Sequence, residues 1–381
     1  MGDNILNVTE IKEYEEDKPI DNSSINNDGH IINPFSTKDI KITNAIVLLP
    51  SLIKRLKYNE IINPEFQRNA NLWTNKQMSR LIESILLKLP LPVFYFDVSD
   101  PDKWIVVDGL QRLSTIKRFF VDKKLVLNHM EFLTDLNGKK YDDLERRFER
   151  IVDDTEFITY QIEAQTPKKV RYSIFNRINT GGLSLNAQEI RQALNQEGNG
   201  VSFLKEVCEN ESFKKIAKVS ARRMLDRELV LRFIAFKLTH YRDFNLNSMS
   251  EFLDEAMEKL DAIKDIKKLE ELKDELIETL KFSEEILGKE HRFSRSIADS
   301  KKTNTLNRSL FDVITVCFSE INNKEIFLNK REVFMNKFLK LLRDEQSEFS
   351  KAITEGTSSK SAIESRFEIM DRLIKEVMNA D

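Results

Sequence analysis

The chain has 381 residues, of which 40% are hydrophobic and 32% charged, and its formal net charge is −3. This composition excludes a wholly disordered chain, and because no run approaches ~18 consecutive apolar residues it also argues against a membrane-spanning helix. The first residues show no basic stretch followed by an apolar one, so we expect no secretory signal and a cytoplasmic protein. Cys208 and Cys317 are expected to be buried core thiols, and the four scattered histidines predict no zinc site.

Charge and pattern divide the chain into three parts. Residues 1–40 hold nine acidic residues against three lysines, which predicts an acidic, mobile arm. Residues 41–195 alternate strand and helix patterns and predict an α+β domain. Residues 200–381 carry helical patterns alone and predict an all-helical domain. The nearly neutral body does not indicate strong non-specific DNA binding, although a local basic groove is compatible with it.

The predicted elements follow from hydrophobic spacing and from residues that start or stop helices. Thr74 and Gln77 form a capping-box pattern ahead of one helix, and Pro90 and Pro92 follow it. In chain order, helices are predicted over 46–56, 75–88, 110–120, 168–178, 187–194, 226–238, 248–260, 265–287, 308–320, 323–344 and 360–378, and strands over 93–97, 104–107 and 157–163.

The densest candidate for chemistry is the turn after the second strand, where Asp108-Gly109 precedes a helix that carries Gln111 and Arg112. Glycine permits a sharp turn, and the free N–H groups of a helix N-terminus suit a phosphate. Arg112 can add a bidentate grip, and Asp108 can hold Mg²⁺ or orient a water. The structural alternative is that Asp108 is the helix N-cap, Gln111 its capping-box partner and Arg112 a surface residue.

Two further polar clusters lie at element boundaries of the same domain, where loop side chains can face a cleft. Their candidate residues are Gln67, Arg68, Arg177, Asn179, Thr180, Glu189 and Arg191. A structural alternative exists here too. Asn179 and the glycines after it can end a helix, and Glu189 and Arg191 can be an ordinary solvated pair.

Several motifs occur in a fixed order along roughly residues 45–240. They are Phe66-Gln67-Arg68, Trp73, Ser79-Arg80-Leu81-Ile82-Glu83-Ser84-Ile85-Leu86, Leu89-Pro90-Leu91-Pro92, Val107-Asp108-Gly109-Leu110-Gln111-Arg112-Leu113-Ser114-Thr115, Phe175-Asn176-Arg177-Ile178-Asn179-Thr180-Gly181-Gly182, Gln188-Glu189-Ile190-Arg191 and Arg223-Met224-Leu225-Asp226. Together they resemble the N-terminal domain of GmrSD-type restriction endonucleases. That family's usual signature is Asp-Gly-Gln-Gln-Arg, and here Leu110 stands in place of its first glutamine.

The resemblance implies a ParB/sulfiredoxin-like fold and hydrolysis of nucleoside triphosphates, with Asp108, Gln111 and Arg112 as catalytic residues and Asp108 holding Mg²⁺. The implied phosphate-binding residues are Gln67, Arg68, Gly109, Ser114, Thr115, Arg177, Asn179 and Thr180. Sulfiredoxin activity is not expected, because the turn has no cysteine. An HNH nuclease half is not expected either, because after residue 200 only two histidines occur and neither lies in a His-Asn-His arrangement.

The leading expectation is therefore a nucleotide-binding, NTP-hydrolysing sensor or regulator in a phage-defence or DNA-restriction system. Its expected partners are a nucleoside triphosphate, DNA, and a nuclease or other defence protein, with no membrane. The alternative is a non-enzymatic DNA-binding module that uses the same turn to hold a DNA phosphate. A ParB-like-fold nuclease is less favoured, because beyond Asp108 and Glu189 no paired carboxylates are available to hold two metal ions.

Overall fold

The computed structural model describes residues 14–15, 40–62, 73–178, 186–195, 198–219, 221–246, 248–290, 293–302 and 304–380. Residues 30–196 form one compact unit, called here the sheet unit, and residues 197–381 with 1–29 form a second, the helical unit. Most of the predicted acidic arm lies outside the described residues. So do four of the predicted site residues, namely Gln67, Arg68, Asn179 and Thr180.

The described strands form one five-stranded sheet and one short pair. In chain order they are β1 (Tyr14–Glu15), β2 (Ile42–Leu48), β3 (Ile61–Ile62), β4 (Phe94–Asp97), β5 (Trp104–Asp108), β6 (Glu156–Ile162) and β7 (Leu306–Asn307). The sheet has the order β2-β6-β4-β5-β3. The β2–β6 and β4–β5 pairs are antiparallel, and the β6–β4 and β5–β3 pairs are parallel. Consequently β2, β3 and β5 finish, and β4 and β6 begin, at one end of the sheet, called here the turn end.

Helices cover both faces of this sheet. They are α1 (Leu49–Lys57), α2 (Asn75–Leu86), α3 (Leu110–Ile116, continued by a π-helical turn over Lys117–Val121), α4 (Arg146–Asp154), α5 (Lys168–Ile178) and α6 (Ala187–Leu194). The first face packs against α1 to α4 in a core that includes Phe94, Phe96 and Val106. The second face packs against α5 and α6 through Val107 and Ile162. The strand that ends at Asp108 is thus buried on both sides.

The helical unit is built around α9 and α12, which are buried along most of their length. Its described helices are α7 (Asn199–Glu209), α8 (Glu211–Ala217), α9 (Leu225–Leu238), α10 (Met249–Ala262), α11 (Ile266–Leu287), α12 (Arg308–Ser319), α13 (Lys324–Asn329), α14 (Arg331–Arg343), α15 (Glu348–Ala352) and α16 (Lys360–Asn379). Cys208 and Cys317 are both buried, as predicted, and both are free thiols rather than disulfide-bonded. Within the described part of the chain, no helix has the length and apolarity needed to cross a membrane.

The α+β class is confirmed, and so are several helix boundaries. Both α5 and α6 have the predicted limits. The capping box of α2 is formed, because the Thr74 hydroxyl accepts a hydrogen bond from the Gln77 N–H and the Gln77 side chain accepts one from the Thr74 N–H at 2.8 Å. These boundaries depend on contacts within four residues of chain, which a sequence pattern contains directly.

Other predictions were wrong in detail. The helix predicted over 46–56 begins only at Leu49, because residues 42–48 form a strand paired along its whole length with β6. The predicted helix over 323–344 is two helices, separated at Lys330. The part beyond residue 200 is mostly rather than entirely helical, because Leu306 and Asn307 pair in parallel with Tyr14 and Glu15.

A buried ionic cluster crosses the core of the helical unit. The Asp312 carboxylate accepts hydrogen bonds from Arg232 at 2.9 Å (Nε) and 2.6 Å (Nη2), and Nη2 of Arg366 lies 3.7 Å away. All three side chains are fully buried. Charges removed from water in this way are tolerated only while they remain paired.

We therefore expect Asp312→Ala to lower the free energy of unfolding by ~3–5 kcal/mol, because Arg232 and Arg366 lose this buried carboxylate, although Glu228 remains 3.6 Å from Arg232. Urea denaturation followed by circular dichroism would measure the change. Glu376→Ala, which removes an exposed carboxylate paired with Lys337, is the control and should leave the unfolding midpoint unchanged. Equal effects of the two substitutions would contradict a stabilising role for the cluster.

Candidate functional site

The turn between β5 and α3 depends on Gly109. Its backbone has φ 100° and ψ 12°, in the left-handed region, and it occupies the N-cap position of α3 without a side-chain cap. A Cβ at this position would lie 2.3 Å from Cδ1 of Phe94. Glycine is therefore required twice here, once for the backbone angle and once for the close approach of the Phe94 ring.

Arg112 ties this turn to the start of β4. Its Nη2 donates to Asp108 Oδ2 at 2.9 Å and to the Val93 carbonyl at 3.0 Å, and its Nη1 donates to the Pro92 carbonyl. The guanidinium carbon lies 4.3 Å from the centre of the Phe94 ring. Burial lowers the pKa of Arg112, and the Asp108 carboxylate partly opposes that shift. An arginine nevertheless stays charged, so a positive charge is fixed directly beneath the turn.

The structural alternative for this turn is wrong in two respects. The N-cap is Gly109 rather than Asp108. Arg112 is not a surface residue, since only 8% of it is exposed. The turn is instead packed between β4, β5 and α3.

Asp108 differs from Arg112 in being accessible, with 45% of its side chain exposed. The register between β4 and β5 shifts by one residue, so that Phe96 pairs with Val106 but Tyr95 pairs with Asp108. Such a bulge bends a strand and re-aims the side chain that follows it. The bulge and the Arg112 hydrogen bond therefore hold the Asp108 carboxylate at the turn end, where it can also meet a ligand.

The remaining turn residues differ in their exposure. Gln111 and Ser114 are half-buried. Thr115 is buried, and its hydroxyl donates to the Gln111 carbonyl at 2.8 Å, a bond internal to α3. The structure thus brings Asp108, Gln111 and Arg112 into one turn of chain and places Thr115 against the core.

Glu189 and Arg191 are not the solvated pair of the structural alternative, because both are buried. Glu189 Oε2 accepts from the Asn186 N–H at 2.7 Å, and Asn186 Oδ1 accepts from the Glu189 N–H at 2.8 Å. Arg191 donates to Gln188 Oε1 at 2.9 Å. The two residues fix the first turns of α6, and the Asn-Ala-Gln-Glu spacing is a capping-box signal that sequence reasoning missed.

A second missed contact lies at the opposite end of the sheet. Asp97, fully buried at the end of β4, forms a 3.1 Å salt bridge with Arg171 of α5. This contact anchors the first turns of α5 to the far end of the sheet. Arg177 is exposed and lies six residues further along the helix, about 9 Å at 1.5 Å per residue.

Within the described residues, no group of three or more histidine, cysteine or carboxylate side chains could enclose a metal ion. This is compatible with a Mg²⁺ site at Asp108, because Mg²⁺ is commonly bound by one or two carboxylates together with the phosphates of a nucleotide. Asp108 is the exposed carboxylate of the turn and would be its protein ligand.

The sheet unit is thus an α+β domain with a mixed sheet. Its strand β5 ends at the start of α3, where Asp108, Gly109 and Arg112 form a polar turn. Residues 49–196 match the model of the family described as GmrSD restriction endonuclease, N-terminal domain. This match covers 148 of the 381 residues, and it confirms the resemblance carried by the motifs. No curated protein and no solved structure matches the chain.

Gly109→Ala should destabilise the protein more than Gly138→Ala. Both glycines have positive φ, 100° and 83°, but an added Cβ at Gly138 meets nothing within 4 Å. The backbone penalty of ~1–2 kcal/mol is therefore common to both, and Gly109→Ala adds ~1–3 kcal/mol for the overlap with Phe94. Urea denaturation of the two variants measures the difference, and equal losses would show that the Phe94 contact is easily relieved.

Proposed function

We propose that this protein binds and hydrolyses a nucleoside triphosphate and acts as a sensor or regulator in a restriction or phage-defence system. The observation that carries the proposal is the half-exposed Asp108 carboxylate, held at the turn end by a β-bulge and by the buried Arg112. The proposal includes a ParB/sulfiredoxin-like fold for the sheet unit. It also includes DNA and a nuclease or other defence protein as partners.

In the proposed reaction, a water adds to the γ-phosphorus and the bond to the β–γ bridging oxygen breaks, which yields a nucleoside diphosphate and phosphate. Mg²⁺ held by Asp108 would neutralise phosphate charge when bound. Asp108 orients the water or the ion, and Gln111 is near enough in the turn to contact the phosphates. Arg112 is assigned a positioning role, because its guanidinium is already bound to Asp108 and to two backbone carbonyls.

The proposed site at the turn end draws on three segments of the chain. β3 runs parallel to β5 and finishes at the same end, and Gln67 and Arg68 follow β3 in the sequence. α5 begins at the far end, at the Asp97 contact, and Asn179 and Thr180 follow it in the sequence. The proposal therefore keeps these residues as phosphate-binding candidates, together with Ser114 and the buried Thr115.

A DNA-binding module without turnover is the second candidate. One observation favours it, because Leu110 has no side-chain amide at the position where the family signature has glutamine. In that case DNA binding should weaken steeply with salt and no phosphate should be released. A nuclease is disfavoured further, because the buried Glu189 carboxylate already accepts the Asn186 N–H in a helix cap.

Asp108→Asn should reduce phosphate release by at least ~100-fold, because it removes the charge that holds Mg²⁺ or directs the water. The assay is a panel of the four nucleoside triphosphates with Mg²⁺, with and without DNA. Asp142→Asn, which changes an exposed aspartate paired with Lys123, is the matched control and should keep full turnover. Unchanged turnover in Asp108→Asn would remove Asp108 from the catalytic assignment.

Leu110→Gln should raise the rate of hydrolysis with little change in nucleotide affinity. The substitution restores the first amide of the family signature at a half-buried position of the turn. Comparison of kcat and KM for the two proteins is the measurement. A wild type already as fast as the variant would show that this position is neutral.

A further inference from the structure

Asp108 belongs to a row of four residues that crosses the sheet. Asp108 pairs with Tyr95, Tyr95 with Tyr160, and Tyr160 with Asn44 of the edge strand β2. The rings of Tyr95 and Tyr160 are stacked, with centroids 5.2 Å apart and planes 20° apart. Tyr160 is half-buried and Asn44 is exposed, so the outer part of the row remains open.

Two exposed isoleucines extend this row towards the turn end. Ile158 and Ile46 are direct cross-strand partners, and they are 54% and 66% exposed. Side chains two residues apart on a strand lie on the same face of a sheet, so Ile158 shares a face with Tyr160, and Ile46 with Asn44. Tyr160, Asn44, Ile158 and Ile46 together form an apolar surface, called here the platform.

We propose that the platform binds the base of the nucleotide whose phosphates lie at the Asp108 turn. The inference rests on the proposed function and extends it from phosphate binding to recognition of the base. The base stacks on the Tyr160 ring, the isoleucines cover its apolar surface, and the Asn44 amide is placed to hydrogen-bond its polar edge.

Spacing and chemistry favour this ligand. Tyr160 lies two strands away from Asp108, about 10 Å at 4.8 Å per strand, a separation that a ribose and a phosphate chain can bridge. Aromatic side chains on open sheets bind bases by stacking, largely independently of sequence. Part of the platform lies on the edge strand β2, whose residues 42–48 contain no charged side chain to protect the edge. A bound ligand would cover that apolar surface.

The test is calorimetric titration of the full chain with each nucleoside triphosphate and with inorganic tripolyphosphate, in the presence of Mg²⁺. The wild type should bind its best nucleotide at least ~10-fold more tightly than tripolyphosphate, because only the nucleotide carries a base. Tyr160→Ala should remove most of that difference by weakening the nucleotide alone. Tyr160→Phe should keep it, because the ring remains.

Ile158→Ser provides a second variant, since a residue this exposed can be changed without disturbing the core, and it should weaken the nucleotide alone by a smaller factor. Phe132→Ala removes another exposed aromatic, 70% exposed in a loop of the same unit, and should change neither ligand.

The inference would be overturned if Tyr160→Ala and Ile158→Ser left the nucleotide affinity unchanged, or if they weakened nucleotide and tripolyphosphate binding equally. Either result would leave the proposed function intact. A wild type that binds neither ligand would overturn both. A self-association that Ile46→Ser abolishes without affecting nucleotide binding would assign the platform to a second copy of the chain instead.

Discussion

The arrangement of the turn end of the sheet unit depends on the contacts of the buried Arg112 guanidinium. It joins two carbonyls that precede β4, the carboxylate that ends β5 and the ring of Phe94. The two carbonyls and the ring come from the consecutive residues Pro92 to Phe94 and the carboxylate comes from Asp108, so one side chain joins two separate segments of the chain. Loss of this side chain would remove all three hydrogen bonds, each worth ~1.5–3 kcal/mol when one partner is charged.

The same contact holds the turn in place while the Asp108 carboxylate stays accessible. A charge buried beneath a turn organises the groups above it before any ligand arrives, and pre-organised groups need not reorganise during a reaction. Arg112 uses its donors internally, whereas the Asp108 carboxylate is shared between Arg112 and solvent. Arg112 thus has a positioning role, and in the proposed reaction Asp108, four residues earlier, is the residue that contacts the ligand.

The sequence predicted those features that depend on near neighbours. Helices α2, α5 and α6 were found because apolar spacing and, for α2, a capping box are contained in a few consecutive residues. Strand β2 was missed because its apolar residues also fit one face of a short helix, and its partner β6 lies more than 100 residues away. The burial of Arg112 could not be predicted from the sequence either. The direction of an arginine in a first helical turn depends on which distant strand lies behind it, and here that strand is β4.

The topology also accounts for the meeting of a polar turn and an apolar surface at one end of the sheet. β2 and β5 both finish there, so the helices that follow them must leave from that end. On the second face α5 and α6 pack on Val107 and Ile162, which leaves Ile46 and Ile158 at the outer corner exposed. An amphipathic ligand such as a nucleotide has the matching division, with charge at one end and an apolar ring at the other. The uncovered corner therefore follows from the strand order, and it is the strand order that gives the Asp108 turn an apolar neighbour.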